Sequence, residues 1–321
     1  KFITLKILEL LTEKISMTFI AKQCHVSLTT VLRVLKSVES QLPQQLKPLS
    51  FPEVLMVDEF RSHASYEDKM SFICADGETG ELVDILPSRK LDKIIPYFNR
   101  SPLEEREKVK FLVTDMNAAY FQLTKNVFPT AKLIIDRFHI VKHLNTAFND
   151  FRVREMKRLI TNKKKSKANK LKSNWKLLLK NQTNISISEF KTWRNFPSPK
   201  YHLLTESMVI DRLLSFSSEL KEAYDIFHLL MYHFRNKDDR SFFELLKNLP
   251  DSLDTQFRDK IENLISYEEG IRNALKYNFS NGKIEAKNTH IKTLKRVSYG
   301  FNSFTNMRIR IFLINGLIKI K

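Results

Sequence analysis

Between residues 53 and 140 the apolar residues come in short runs separated by turn residues. Val54-Leu-Met-Val57 is too brief for a stable helix and reads as a strand buried on both faces. Lys110 to Asn117 repeats the build, and Met70 to Ala75, Glu81 to Pro87 and Lys132 to Ile135 supply three further strands. Asp76-Gly-Glu-Thr-Gly80 predicts a hairpin between the second and third. Leu91, Ile94, Ile95 and Phe98 recur at helical spacing, so a helix over 91–99, with a kink expected at Pro96, crosses to the Lys110 strand. Asn117 to Phe128 predicts a second helix. From Phe138 to about Tyr277 the spacing is helical nearly throughout. Asn281-Gly282 marks a turn, after which a helix from near Lys283 ends before Gly300.

Residues 1–40 read as helical. Ile7, Leu8, Leu10 and Leu11 form one amphipathic segment. From Met17 to Val34, with Ala21 as the small residue of a helix-turn-helix, Ile20, Cys24, Val26, Val31 and Val34 fall on its apolar positions, with Thr18 and Ser27 as the expected N-caps. His25 occupies the turn position where glycine is usual. Leu28 to Lys36 is then the recognition helix, presenting Thr29, Thr30 and Arg33 to a major groove. Such helix pairs also serve as plain packing units. Pro43 and Pro48, among Gln41, Gln44 and Gln45, make 41–52 a linker.

The resulting organisation is a small helix-turn-helix domain (1–40), the linker, an α/β core (53–140), a helical insertion (141–277) and C-terminal helices (278–321). Its order of strand, strand, strand, helix, strand, helix, strand resembles the ribonuclease H fold, a mixed sheet whose first and fourth strands are parallel neighbours. The fold class is therefore α/β, ribonuclease H-like, with a large all-helical insertion.

Charge adds a partner. The 321 residues carry 54 Lys plus Arg against 36 Asp plus Glu, a net charge of +18, which favours a polyanion, most commonly nucleic acid. Between Arg152 and Lys180 a dozen positive residues face only Glu155, and Lys163, Lys164, Lys165 and Lys167 are the densest part, read here as phosphate contacts. Trp175 and Trp193 are expected to pack the insertion, with base stacking as the other use of such rings, and Pro197 and Pro199 divide it. No run reaches the roughly 18 to 20 apolar residues that span a bilayer, and no signal peptide is evident. Cys24 and Cys74 read as reduced core thiols in a cytoplasmic protein. The chain starts at Lys1 and reads as a fragment.

The chemistry lies where the strands end. Asp58, with Glu59 beside it, closes the first acidic strand and Asp115 closes the fourth, so parallel pairing makes Asp58 and Asp115 neighbours at the sheet edge where open α/β sheets place their chemistry. An acid after a strand also opens turns; the repetition is what singles these out. Two close carboxylates repel and call for a cation, and hard oxygen ligands select Mg²⁺ or Mn²⁺. On the late helix, Ile284, Ile291 and Leu294 form an apolar stripe, while Glu285, Asn288, Lys292 and Arg296 are expected on another face, suited to a metal ion and adjoining phosphates.

Val57-Asp58-Glu59, Val113-Thr-Asp115-Met-Asn117, Asp136-Arg-Phe-His139 and the stretch from Asn281-Gly282 through Glu285, Asn288, Ile291-Lys292 and Arg296 to Gly300-Phe301 resemble the DDE transposases of bacterial insertion sequences, most closely the ISL3 family. The resemblance covers nearly the whole chain. It implies a catalytic and metal-holding triad of Asp58, Asp115 and Glu285, with 170 residues between the last two because the insertion intervenes. It implies support from Asp136 and His139, an Asp-x-x-His motif, and Asn288 is placed with them. The Cys-rich zinc module usual upstream in this family does not occur in this sequence. The expected activity is two-metal phosphoryl transfer, with Mg²⁺ replaceable by Mn²⁺: Asp58 bridges both ions, Asp115 and Glu285 hold one each, and Lys292 and Arg296 hold the scissile strand. Expected partners are double-stranded DNA, namely terminal inverted repeats and target, and at least one further copy of the chain to synapse two ends. No membrane is expected, and the setting is cytoplasmic and nucleoid-associated. Two other readings share features: a resolvase-type nuclease with the same core, and a non-enzymatic helix-turn-helix regulator.

Overall fold

The computed structural model describes residues 2–42, 50–62, 68–193, 195–196 and 203–320. Most of the expected linker, including Pro43, Gln44, Gln45 and Pro48, lies outside these, as do Pro197 and Pro199. The chain divides into two compact units, one made of residues 1–136 and 278–321, the other of 137–277.

The first unit is mixed α/β. Three helices, α1 (Phe2–Leu11), α2 (Met17–Gln23) and α3 (Leu28–Lys36), precede β1 (Val54–Arg61), β2 (Met70–Asp76), β3 (Leu82–Leu86), α4 (Leu91–Asn99), α5 (Leu103–Arg106), β4 (Phe111–Thr114), α6 (Ala118–Asn126) and β5 (Lys132–Ile135). The five strands form one sheet in the order β3-β2-β1-β4-β5. β1 pairs in parallel with β4, as the two acid-tipped runs required, and β4 with β5, while β2 and β3 are antiparallel. The hairpin turn is held by Asp76, whose Oδ1 accepts from the amides of Glu78 (2.7 Å) and Thr79 (3.2 Å). Gly77 is required there because a Cβ would lie 2.3 Å from Val54 Cγ1.

Side chains alternate across a strand, so each face of the sheet has its own partners. Leu55, Val57, Phe72, Cys74, Leu112 and Leu133 face a core completed by Ile94 and Phe98 of α4 and Tyr120 and Leu123 of α6. Phe98 anchors it through edge-on contacts with Phe51, Phe72 and Phe128 at 5.2–5.9 Å. α4 runs through Pro96 without interruption. The short helix α5 has no counterpart in the sequence pattern.

The second unit is almost wholly helical: α7 (Arg137–Thr161), α8 (Lys165–Ser173), α9 (Trp175–Leu178), α10 (Glu206–Leu214), α11 (Ser218–Arg235), α12 (Asp239–Lys247), α13 (Thr255–Glu262) and α14 (Glu268–Lys276). A lone bridge between Lys191 and Leu204 departs from the helical expectation. Phe148 on α7 stacks on Phe227 of α11 at 4.8 Å and meets Phe257 of α13 edge-on.

Back in the first unit, α15 (Gly282–Val297) and α16 (Phe304–Ile314) end the fold. The fully buried Arg310 of α16 donates to the carbonyls of Glu13 and Ile15 at 2.8 Å each, tying the α1–α2 connection to α16. Serine caps set the N-terminal helices: Ser16 caps α2, accepting from Phe19 N at 3.1 Å, and Ser27 caps α3, accepting from Thr30 N. The expected cap Thr18 is instead inside α2, because Ser16 already adopts the extended backbone a cap needs and the helix begins at Met17. His25 takes φ +53° in the intervening turn, the left-handed conformation for which glycine is the usual choice. Cys24 and Cys74 are buried thiols. Among the described residues no helix is long and apolar enough to cross a membrane.

Candidate active site

The site begins with register. β1 and β4 pair as Val54↔Phe111 to Met56↔Val113, so the same register two positions further sets Asp58 beside Asp115. β4 and β5 pair as far as Thr114↔Ile135, and the amide of Asp136 still donates to Thr114 O at 2.8 Å, so the next position sets Asp115 beside Asp136. Parallel neighbours in register point to the same face, and adjacent strands lie about 4.8 Å apart. Three carboxylates therefore form a row across the ends of three strands, on the face opposite the α4 and α6 core.

Glu59 belongs to the other face. Its carboxylate takes Arg89 Nη1 at 2.6 Å and the Tyr120 hydroxyl at 3.2 Å. Burial, then Glu59, and at longer range Asp115 and Asp58, push the Tyr120 phenol well above its ordinary value, so it stays protonated and able to donate.

α15 brings the remaining groups. Its N-terminal end is pinned by Lys283 Nζ, which donates to the carbonyls of Gly77 and Glu78 in the β2–β3 turn, and its C-terminal half by Lys295 Nζ, which donates to the carbonyls of Arg61 and Ser62. Burial, with the charge of Arg61 beside it, holds the Lys295 ammonium below its usual range. Between these anchors Asn288 Nδ2 donates to Asp58 Oδ2 at 2.7 Å, while Asp58 Oδ1 accepts from Glu59 N at 2.7 Å. Asp115 Oδ1 accepts from Asn117 N at 3.1 Å. Glu285 is one turn before Asn288, and a carboxylate oxygen of it lies within 4.8 Å of one of the buried Asp136. Asp136 Oδ1 accepts from Asn281 N at 3.1 Å.

Asn288 departs from the expected solvent face. It is buried with Ile284, Ile291 and Leu294, since a residue four after Ile284 falls at the edge of the same stripe. Glu285, Lys292 and Arg296 are exposed. The strand register aligns Asp58, Asp115 and Asp136, whereas the close carboxylate pair is Asp136 with Glu285. Among the described residues, ligand atoms of Asp58, Asp115 and Glu285 do not all come within 4.8 Å of one another. Asp58 is turned toward Asn288 and Asp115 toward Asn117, and like charges favour separation. His139 lies in the second unit, in the first turn of α7, beside the Phe138 ring.

The sequence pattern shows neither the hydrogen bond from Asn281 N to Asp136 nor the anchoring by Lys283; the Asn-Gly pair signals only a turn. The donor set suits a hard cation, since every carboxylate offers oxygens alone, and the buried Asn281 Oδ1 and Nδ2 and Asn288 Oδ1 have no hydrogen-bond partner within the protein. Clefts of 520 and 700 Å³ flank Tyr97 and Arg100, but none of these acids lines them. The buried Asp84 nearby is spent structurally, bound by Arg308 Nε (3.0 Å) and Nη2 (2.5 Å) and by the Tyr97 hydroxyl.

The basic run sorts into two classes. Arg152 is buried and donates to Asn149 Oδ1 and Leu171 O, Arg154 pairs with Asp254, Arg158 with Glu155 and Glu219, and Lys180 with Glu206. These hold the helical unit together, so phosphate binding does not extend to them; Asp254, Glu219 and Glu206 lie too far along the sequence to be seen in a local charge count. Lys163, Lys164 and Lys165 are exposed, and Lys167 is half-buried with its ammonium over the Phe216 ring. In the N-terminal helices Thr29 and Arg33 are exposed, whereas the Thr30 hydroxyl is engaged with Ser27 Oγ at 3.0 Å. Trp193 Nε1 donates to Leu204 O, and Trp175 keeps an exposed edge.

A family model described as a transposase, that of the ISL3-type DDE group, matches residues 55–311. A transposase for insertion sequence element IS1001 from Bordetella parapertussis is 22% identical over 250 residues, 78% of this chain and 57% of that protein. A Lactococcus lactis subsp. lactis protein named as an ATP-dependent protease is 40% identical over 116 residues, 35% of this chain and 36% of its own length. The chain thus spans less than two thirds of both relatives.

Proposed function

The chain belongs to the ISL3-type DDE transposase family, and on that premise we propose that it binds the terminal repeats of an insertion sequence and catalyses metal-dependent DNA cleavage and strand transfer. The observation that carries this reading is the parallel register of β1 and β4, which aligns Asp58 with Asp115 while α15 sets Asn288 on Asp58 and Glu285 one turn away. The strand order and helices of the first unit support a ribonuclease H-like core.

Asp58, Asp115 and Glu285 are the proposed metal-holding catalytic residues, with Asp136 as a fourth carboxylate and Asn281, Asn288 and His139 in support. When bound, Mg²⁺ or Mn²⁺ supplies a water of lowered pKa and neutralises charge on the phosphate. Asn288 holds one oxygen of Asp58 in place, and a carboxylate offers about four acceptor positions, so this bond is compatible with ligation. Lys292 and Arg296 extend from Glu285 along one exposed ridge, seven and eleven residues on, within about 20° of it around the helix, and hold the scissile strand. α2 and α3 act as the helix-turn-helix, with Thr29 and Arg33 toward the groove; Lys163, Lys164 and Lys165 add sequence-independent phosphate contacts. Joining two ends requires at least two copies of the chain, and the setting is the bacterial nucleoid.

The test is incubation of end-labelled duplex from either flank of the protein's coding sequence, with and without Mg²⁺, followed by mapping of cuts and of joining to a plasmid. Metal-dependent cutting at one position with joining supports the proposal. Cutting without joining reduces it to a nuclease, and metal-independent binding alone contradicts it.

A further inference from the structure

At the end of α15 the backbone turns through two consecutive left-handed residues, Tyr299 (φ +51°) and Gly300 (φ +93°). The amide of Gly300 donates to Lys295 O (2.9 Å) and that of Tyr299 to Arg296 O (3.1 Å), the double closure that normally places glycine where Tyr299 stands. His25, Lys163 and Lys237 take the same left-handed conformation after α2, α7 and α11, but Tyr299 carries a large ring there, and it is 96% exposed. The ring projects from the end of the ridge that begins at Glu285 and continues through Lys292 and Arg296. At 1.5 Å per residue, Tyr299 stands about 20 Å from Glu285 along that ridge, roughly six base pairs of B-DNA.

A cleft of 230 Å³ opens beside the ring, lined among others by Met17 of α2, Leu28 and Leu32 of α3, Ser298 and Asn306. Ser298 Oγ and Asn306 Oδ1 are buried without hydrogen-bond partners, and Leu28 is an exposed apolar side chain. Apolar walls beside an exposed aromatic face match a nucleobase, whose π-face stacks on a ring whatever the sequence. The neighbouring Lys292 and Arg296 suit its phosphates.

Resting on the DNA-processing reading above, we infer that Tyr299 is a DNA-contacting residue that stacks on a base splayed over this cleft, about six base pairs from the scissile phosphate. The exposed ring supplies the stacking face, and the apolar side chains of the cleft receive the splayed base.

The test compares wild type with Tyr299→Gly, Tyr299→Phe and Tyr299→Trp on fluorescein-labelled flanking duplex, by anisotropy over a salt series and by Mg²⁺-dependent cleavage, alongside thermal unfolding. Tyr299→Gly should unfold at the same or a higher temperature, because glycine relaxes the turn, yet bind about tenfold more weakly with an unchanged salt slope, since a stacking contact and no charge is lost. Tyr299→Phe and Tyr299→Trp should bind within about twofold of wild type. Equal binding by wild type and Tyr299→Gly overturns the contact alone. Failure of wild type to bind or cut overturns the transposase reading and this inference with it.

Discussion

Asn288 offers the sharpest dissection of the site, because it is a buried amide with one task. Its Nδ2 donates to Asp58 Oδ2 at 2.7 Å, whereas its Oδ1 is buried without a partner. Replacement by leucine keeps the branched shape, with two somewhat larger methyls in place of the amide atoms, and removes both groups. Loss of a hydrogen bond to a charged acceptor costs about 1.5–3 kcal/mol, but removal of an unsatisfied buried acceptor offsets part of that in the folded state. Asn288→Leu should therefore change stability by no more than about 1 kcal/mol. The cost falls on Asp58, which loses its fixed rotamer. If most of the bond energy serves alignment of Asp58 with the phosphate, cleavage slows by about ten- to 150-fold, at 1.36 kcal/mol per decade. The assay is single-turnover cleavage of labelled end duplex across a Mg²⁺ series, with thermal unfolding in parallel. A rise in the Mg²⁺ concentration for half-maximal rate should accompany the slower rate, because a freely rotating carboxylate is a poorer ligand. Wild-type rate and metal dependence in a folded Asn288→Leu protein would refute the positioning role.

In the helical unit, His228 is buried between Tyr224 and Phe227, its Nε2 donating to Leu178 O at 3.0 Å, and burial lowers its pKa to about 4. The folded state thus holds the neutral ring while the unfolded chain protonates near 6.5, so stability is full above about pH 6.5 and falls toward pH 4, by about 3 kcal/mol at most; denaturant midpoints that stay flat between pH 7 and 4 would contradict this, and His228→Gln should flatten them. Changing Lys163, Lys164 and Lys165 together to Gln should lower the slope of log affinity against log salt by about 2 to 3; an unchanged slope returns these residues to a solvated face.

Much of the first unit is legible because its signals are local. The runs at Val54, Phe111 and Lys132 are apolar, short and bounded by turn residues, so strands with acids at their ends follow directly, and the helix over Leu91–Asn99 is declared by its periodicity. What is not legible depends on partners distant in sequence. Nothing near Arg152 or Arg154 shows that Asn149 and Asp254 claim them, and nothing near Asp84 announces Arg308. Asp58 and Glu59 look equivalent until the pleat sends one to α15 and the other to Arg89 and Tyr120. The spacing of three from Glu285 and four from Lys292 puts Asn288 on their face, yet the stripe edge decides burial, and that depends on how α15 is rotated on the sheet. The Asp136–Glu285 proximity is a matter of tertiary placement alone.

The proposed chemistry needs Asp58, Asp115 and Glu285 acting together, and the most direct measurement is Mg²⁺-dependent cleavage of end duplex by Asp58→Ala, Asp115→Ala and Glu285→Ala, with binding followed on the same DNA. Each variant should bind the duplex nearly as wild type does while strand cleavage disappears. Full cleavage by any one of them would remove that residue from the site, and full cleavage by all three would contradict the account.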